Sequence, residues 1–415
     1  MFAKLALSSL LDRKGSVVLS LMAMTISIFV LLGVEHIRHQ AKQNFANTVS
    51  GVDLIVGAKT GSLNLLLYSV FKIGTPTNNI SWQSFEKIST SPKVKWAIPI
   101  SLGDSHKGFR VLGTTQNYFQ YFSYGKKHHL LLDKGEVFNH LFDVVIGSQV
   151  AKKLGYQLGD KIVLAHGIAN TSFSLHKNNP FTVVGILSPT GTPVDQTLHV
   201  SLQGLEAVHI DWQHENTTDS KSNNKELINK ALEPKSITAF MLTLESKITT
   251  FKVQRDINNY TKEPLLAILP GVALSELWQM MSILENTLFL VSILVFFSAC
   301  LGVSAMLLSS IRERSREIEL LRVIGASPLF LFLLIELEAI FIAVFSIMLG
   351  SGLLIVSLLF SQEYLMANFG LQISLNIFSV NSLSLIMAML VASIIVAFIP
   401  SFIGYTQSKV NKLMH

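Results

Sequence analysis

Three groups of residues in this chain have the types and spacing to do chemistry. His36 and His39 stand three apart on a helical stretch, so they share a face and could both reach one metal ion, with zinc the ion that suits imidazole ligands. No HxxxH pattern or cysteine completes the set, and a pair of solvated surface histidines fits the same residues. Glu336 and Glu338 fall early in an otherwise apolar run, where an ionisable group by default faces protein or water. The third group is IRERSREIELLRVIGAS, residues 311–327, which packs four arginines and three glutamates between two long apolar runs.

Read as a helix, 311–327 aligns Ile311, Ile318 and Leu321 along one side. Opposite charges fall three apart at Glu313/Arg316, Arg314/Glu317, Arg316/Glu319 and Glu319/Arg322. Such pairs give a few tenths of a kcal/mol each, enough to hold a short helix in water without choosing what it binds. Gly325 supplies a C-terminal stop and Pro328 a break before the next apolar run. Two readings fit: a stiff amphipathic helix that docks on another protein, or a solvated loop that only sets topology.

Other chemistry is missing at the level of motif. GxxxxGK[ST] does not occur, and GAKTGS at 57–62 has the wrong spacing for a phosphate loop. GxSxG and HExxH are absent too, so no enzymatic activity and no cofactor of its own is expected for this chain. Cys300 is the only cysteine, which excludes an internal disulfide framework and reads as a buried thiol.

The elements that must position these groups are set by composition. The 415 residues are 49% hydrophobic and 14% charged, with a mean hydropathy of +0.45. Soluble domains carry about 25% charged residues, so this is a membrane protein by composition. A spanning helix needs about 20 mainly apolar residues. Residues 17–34, 287–311, 329–360 and 382–405 qualify. The first follows Arg13-Lys14 and runs into VEHIRHQ with no small-residue cleavage site, so it reads as an uncleaved signal anchor.

Short-loop lysines and arginines set the orientation. They occur in segment 1–16 (Lys4, Arg13, Lys14), in 312–328 (Arg312, Arg314, Arg316, Arg322) and in tail 406–415 (Lys409, Lys412), while loop 361–381 has none. Both termini and the 312–328 segment are therefore expected in the cytoplasm. Residues 35–286 are expected on the opposite side, as an α/β domain inserted between helices one and two of a four-helix membrane protein.

That middle region has an ordinary, mildly basic charge balance and no basic stripe interleaved with aromatics, which excludes nucleic-acid binding. Eleven of the twelve histidines lie in it, including His128-His129. DVVIGSQVAKKLGYQLGDKIVLA predicts a strand, a helix over 148–154, a stop at Gly155 and a second strand. FTVVGILSPTGTPVDQTLHVSL predicts two strands around a Gly/Pro turn. Residues 211–235 are polar and predict a mobile excursion. EHIRHQAKQNFANTV and SELWQMMSILEN predict helices continuing out of the first span and into the second, as a stalk or as helices lying along the domain base.

RSREIELLRVIGAS resembles the signature of FtsX/MacB-like ABC transporter permeases. The resemblance implies a coupling helix that sits in a groove of a cytoplasmic ATPase, with Arg312, Arg314, Arg316, Glu317, Leu321, Arg322, Gly325, Ala326 and Ser327 as its residues. Glu338-Ala339 is similar to a Glu-Ala step that the family carries early in the following span; Glu336 is an addition. The one-plus-three layout of spans matches the family's, and VIGSQVAKKLGYQLGDKI and FTVVGILSPTGTPVDQTLHV are similar to its periplasmic core domain. The family implies a bacterial inner-membrane permease with both termini cytoplasmic. Its expected partners are an ABC ATPase dimer supplying ATP and Mg chemistry, a second permease copy or paralogue, and a periplasmic adaptor or substrate protein. The chain starts at its first span, so the ATPase is expected as a separate subunit. Three roles stay open: ATP-driven mechanotransmission for export or extraction of a cargo, zinc-linked transport or sensing, and regulation of a cell-wall hydrolase.

Overall fold

A computed structural model describes residues 2–46, 48–125, 127–166, 179–215, 232–313, 327–369 and 374–410. The chain divides into two compact units: Met1–Gln40 with Met281–Tyr364 and Ile373–His415, and Ala41–Met280 with Leu365–Gln372.

The first unit is built from the apolar runs. The helices Lys14–Ala46, Pro270–Glu313, Pro328–Phe369 and Val380–Val410 each contain a segment long and apolar enough to cross a membrane. At 1.5 Å per residue the 44 residues of Pro270–Glu313 extend about 66 Å, twice the roughly 30 Å of hydrocarbon. Their outer faces leave Leu290, Leu294, Leu301 and Ile395 exposed, as lipid-facing side chains are. Their buried faces combine large apolar residues such as Ile28, Leu31, Leu307 and Leu354 with serines and glycines, which let backbones approach closely where lipid gives apolar side chains no reason to leave it. Gly350 meets Thr25 and Ile28 of the first long helix so closely that a Cβ there would lie 3.0 Å from Ile28. Ser346 Oγ donates to the Leu21 carbonyl at 3.4 Å along the same seam. The leading segment is itself a helix, Phe2–Asp12, with Ala6, Ser9 and Leu10 buried.

The second unit is organised by an eleven-stranded mixed sheet. Its strands run Leu265–Ile268, Leu54–Ala58, Ala239–Leu244, Val94–His106, Phe109–Thr114, Thr197–Ser201, Asp143–Ile146, Phe181–Leu187 and Leu132–Gly135 across the sheet, with Ala165–His166 and Lys161–Ile162 pairing off this path. Alternation fixes the faces. Ile55, Ile98, Ile100 and Met241 pack against Leu65, Leu66, Tyr68 and Phe71 of the helical turns Ser62–Leu66 and Leu67–Phe71. Leu54, Val56, Phe240 and Leu242 point the other way, onto Phe85 and Ile88 of Trp82–Ser89 and Val253 and Ile257 of Thr250–Asn258. Both faces are covered, which is why Leu54–Ala58 and Asp143–Ile146 are buried along their whole length.

The helix Ser148–Leu154 ends at Gly155, whose φ of 70° is the left-handed stop that glycine supplies cheaply. The two strands of FTVVGILSPTGTPVDQTLHVSL do not pair with each other. Asp143–Ile146 lies between them, parallel to Phe181–Leu187 and antiparallel to Thr197–Ser201. In the polar stretch 211–235, the helix Leu202–Glu215 runs into its first residues and 216–231 lie outside the described residues.

Candidate functional site at the membrane helices

Of the residues expected to form the coupling helix, Arg314, Arg316, Glu317, Leu321, Arg322, Gly325 and Ala326 lie outside the described residues. Its two ends are described. Arg312 belongs to the last turn of Pro270–Glu313, beside a buried Ile311 and an exposed Glu313 that accepts from Ser309 Oγ at 3.4 Å. Ser327 caps the next helix: its Oγ accepts from the backbone N–H of Phe330 at 3.3 Å, and Pro328 follows at the first helical position. A cap and a proline at that place satisfy an orphan donor and preset the backbone, so Ser327 has a structural task whatever the segment binds.

The intramembrane glutamates are both buried and both engaged by serines. Glu338 accepts a hydrogen bond from Ser9 Oγ of the helix Phe2–Asp12. Glu336 Oε2 accepts from Ser401 Oγ of the last long helix at 2.8 Å, and Ser401 Oγ also contacts the Ala397 carbonyl. Glu336 Oε1 is buried with no partner among the described residues. Two positions of one helix thus reach two different neighbours, which ties three helices together around Pro328–Phe369. Ile311, Ile335 and Gly404 meet at the same end, where a Cβ on Gly404 would lie 2.8 Å from Ile335 and 3.4 Å from Ile311. The two carboxyl groups join helices.

His36 is buried and its Nε2 donates to the Ser374 carbonyl at 2.9 Å, while His39 is half-buried. Holding Ser374 takes up one ring nitrogen, so a shared metal would have only Nδ1 of His36. Among the described residues no group of three or more His, Cys, Asp or Glu is placed to hold a metal ion. The flanking residues serve packing: Glu35 is buried and pairs with Arg38 at 3.2 Å, and the Arg38 guanidinium lies 5.8 Å from the Phe289 ring centre.

Sequence reasoning missed the Ser9 and Ser401 partners. The signal for the first was present, since Phe2, Ala6, Ser9 and Leu10 follow helical spacing in FAKLALSSLLD. Ser401 follows Pro400 in an unbroken apolar run, and nothing local distinguishes it from the other span serines.

Four long apolar helices, one before and three after an inserted α/β domain, define a multi-pass membrane protein of the permease type. Residues 17–260 match the family model of the MacB-like periplasmic core domain, and residues 289–409 match that of the FtsX-like permease C-terminal. The chain belongs to the FtsX/MacB-like ABC transporter permease family, a class that works with an ATPase partner. Among solved structures it is similar to the crystal structure of the extracellular domain of the noncanonic ABC-type transporter YknZ from Gram-positive bacteria. That similarity has 13% identity and a TM-score of 0.30, and covers 52% of this chain and 98% of the other. No curated protein matches the chain.

Proposed function

We propose that this permease transmits an ATP-driven change from a separate cytoplasmic ATPase pair, carrying ATP and Mg, to its α/β domain. On this reading the domain lies outside the inner membrane of a bacterium and acts there on a cargo or partner protein, with both chain termini in the cytoplasm. A second permease copy or paralogue completes the assembly. The observation that carries it is the continuity of Pro270–Glu313. The strand Leu265–Ile268 at the edge of the sheet is followed, after one residue, by a helix that continues unbroken through the second span into the charged segment. On this reading a displacement at Arg312 is passed along this helix toward the strand that precedes it in the chain. An element with two arrangements whose balance ATP biases is all that such transmission requires.

Two experiments test it together. Co-purification of the tagged chain from its native membranes in gentle detergent should recover an ABC ATPase, and Gly325→Pro or Arg316→Glu should lose it or its coupled activity. Leu284→Pro breaks this helix above the span without touching the charged segment. The expected outcome is retained ATPase binding with uncoupled ATP hydrolysis. Full coupling in Leu284→Pro would sink the transmission reading, and full coupling in both charged-segment variants would sink the docking assignment.

A further inference from the structure

The α/β unit contains a cleft of about 760 Å³ whose charge is of one sign. Lys72, Lys107, Arg110 and Lys153 line it, together with apolar Phe71, Phe109, Leu154 and Pro193. Among the described residues none of the four cations pairs with a carboxylate. Instead Lys72 Nζ donates to the Ser69 carbonyl and Arg110 Nη2 to the Gly74 carbonyl. Lys107 lies over the Tyr156 ring at 5.2 Å and Lys153 over the Phe109 ring at 5.8 Å. Asp195, in the turn that forms one wall, is no counter-ion. It is buried, and its oxygens accept from the Thr190 and Gly191 backbone N–H groups and the Thr190 hydroxyl.

The backbone places two of the four cations. Lys72 ends the π-helical turn Leu67–Phe71 at φ 60°, and Lys107 stands at φ 46°. Lys107 and Gly108, both at positive φ, form the two-residue loop of the hairpin Val94–His106/Phe109–Thr114, and Lys72 caps its helical turn, so local turn geometry sets both lysines at the cleft. Burial, and then the nearby Arg110 guanidinium, pull the Lys72 ammonium down to about 7, and an anion bound beside it would favour the charged form. The volume is that of a drug-sized ligand, larger than a bare ion needs, and the apolar wall suits an organic portion. A phosphate monoester brings close to two charges on one centre and matches the guanidinium fork.

We propose that this cleft is a binding site for a phosphate monoester with an organic portion, gripped by Lys72 and Arg110 and flanked by Lys107 and Lys153. Such a group is found on a soluble sugar or glycerol phosphate and on a lipid headgroup alike. The site goes beyond ATPase coupling and does not depend on it, since binding is read without the ATPase.

The test is calorimetric titration of the full chain in neutral detergent with glycerol 3-phosphate, dihexanoyl phosphatidic acid and, as a zwitterionic control, dihexanoyl phosphatidylcholine. Saturable binding of the monoesters is expected, with Lys72→Gln and Arg110→Gln each weakening it at least tenfold. The double variant Lys107→Gln/Lys153→Gln changes only exposed side chains, so its fold survives, and it should also weaken binding at least tenfold. Lys152→Gln, beside the cleft but not lining it, should bind as the parent does. Phosphatidic acid binding ten times tighter than glycerol 3-phosphate assigns a lipid source; equal affinities assign a soluble one. No saturable heat with either monoester, equal binding of the zwitterionic lipid, or affinities unchanged in the exposed double variant would overturn the proposal.

Discussion

Ser304 Oγ donates to the carbonyl of Val396 at 3.3 Å, and Val396 is the residue four before Pro400. Proline has no N–H, so in the helix Val380–Val410 the Val396 oxygen lacks its intrahelical donor. Within a span such an oxygen has no water to turn to, and a serine from the neighbouring helix takes the place of the missing N–H. Ser304→Ala should therefore destabilise the protein by about 0.6–1.7 kcal/mol, the range of interhelical hydrogen bonds in membranes. In a Pro400→Ala background the carbonyl recovers its own donor, and the same change should cost much less. Thermal melts of the four proteins of this cycle in one detergent decide the matter. Additive effects would mean that Ser304 and the proline site are independent.

The Ser9–Glu338 bond makes a second cycle. It fastens the helix Phe2–Asp12 to the third long helix, and Glu338 is buried. Removing either partner should loosen that leading helix without unfolding the bundle. Limited trypsin digestion in detergent should cut faster at Arg13 in Ser9→Ala and Glu338→Ala. The double variant should be no faster than the faster single. Unchanged rates in both singles would show that Ala6 and Leu10 hold the helix by packing alone.

The spans were legible because a bilayer leaves one solution to backbone polarity, a helix about 20 apolar residues long. The helix Ser148–Leu154 and its glycine stop were legible because left-handed backbone has few residues that adopt it cheaply. Strand order was not. Alternation in Phe181–Leu187 and Thr197–Ser201 gives each strand two faces, but nothing in it says that Asp143–Ile146 enters between them, since pairing across the sheet depends on contacts far apart in sequence. The basic cleft was invisible for the same reason: Lys72, the hairpin carrying Lys107 and Arg110, and Lys153 are three segments far apart in sequence, and each lysine or arginine is ordinary where it stands. Glu336 and Glu338 announced themselves by type, whereas their partners Ser401 and Ser9 are common residues that only geometry selects.

Gly404 faces Ile335 across the seam of the third and fourth long helices. A Cβ there would crowd the tip of Ile335 at 2.8 Å, which can rotate aside, and would touch Ile311 at an ordinary 3.4 Å. Gly404→Ala should thus be close to neutral, with a helix-propensity gain of about 1 kcal/mol offsetting the contact. Gly404→Val adds branched bulk where no rotation relieves it and should cost about 1–3 kcal/mol, with Ile335→Ala restoring part of the loss. Gly352 and Gly302 have nothing within 4 Å and serve as controls in which valine costs no packing. Equal effects at 404 and 352 in detergent melts would show that the seam is looser than this spacing requires.

Acid should destabilise the α/β unit through His199. The ring is buried beside Tyr118 and Phe119, its Nδ1 lies 3.3 Å from the Val145 carbonyl, and Nε2 has no partner among the described residues. Burial, and then the charge on Lys72, press its pKa down to about 3 from the usual 6.5. Above pH 6.5 the ring is neutral in both folded and unfolded chains and contributes no pH dependence. Below 6.5 the unfolded chain takes up a proton that the folded chain refuses until about pH 3, so stability falls by about 1.4 kcal/mol per pH unit across that window. His199→Asn keeps a donor and removes the titration. All four tryptophans, Trp82, Trp96, Trp212 and Trp278, lie within residues 41–280, so fluorescence of the full chain in detergent reports on this unit alone. Denaturant melts at pH 7, 6, 5 and 4 should give parent and variant curves that converge or cross as pH falls, the parent losing stability faster by that slope. Parallel curves would mean that His199 is protonated as readily in the fold as outside it.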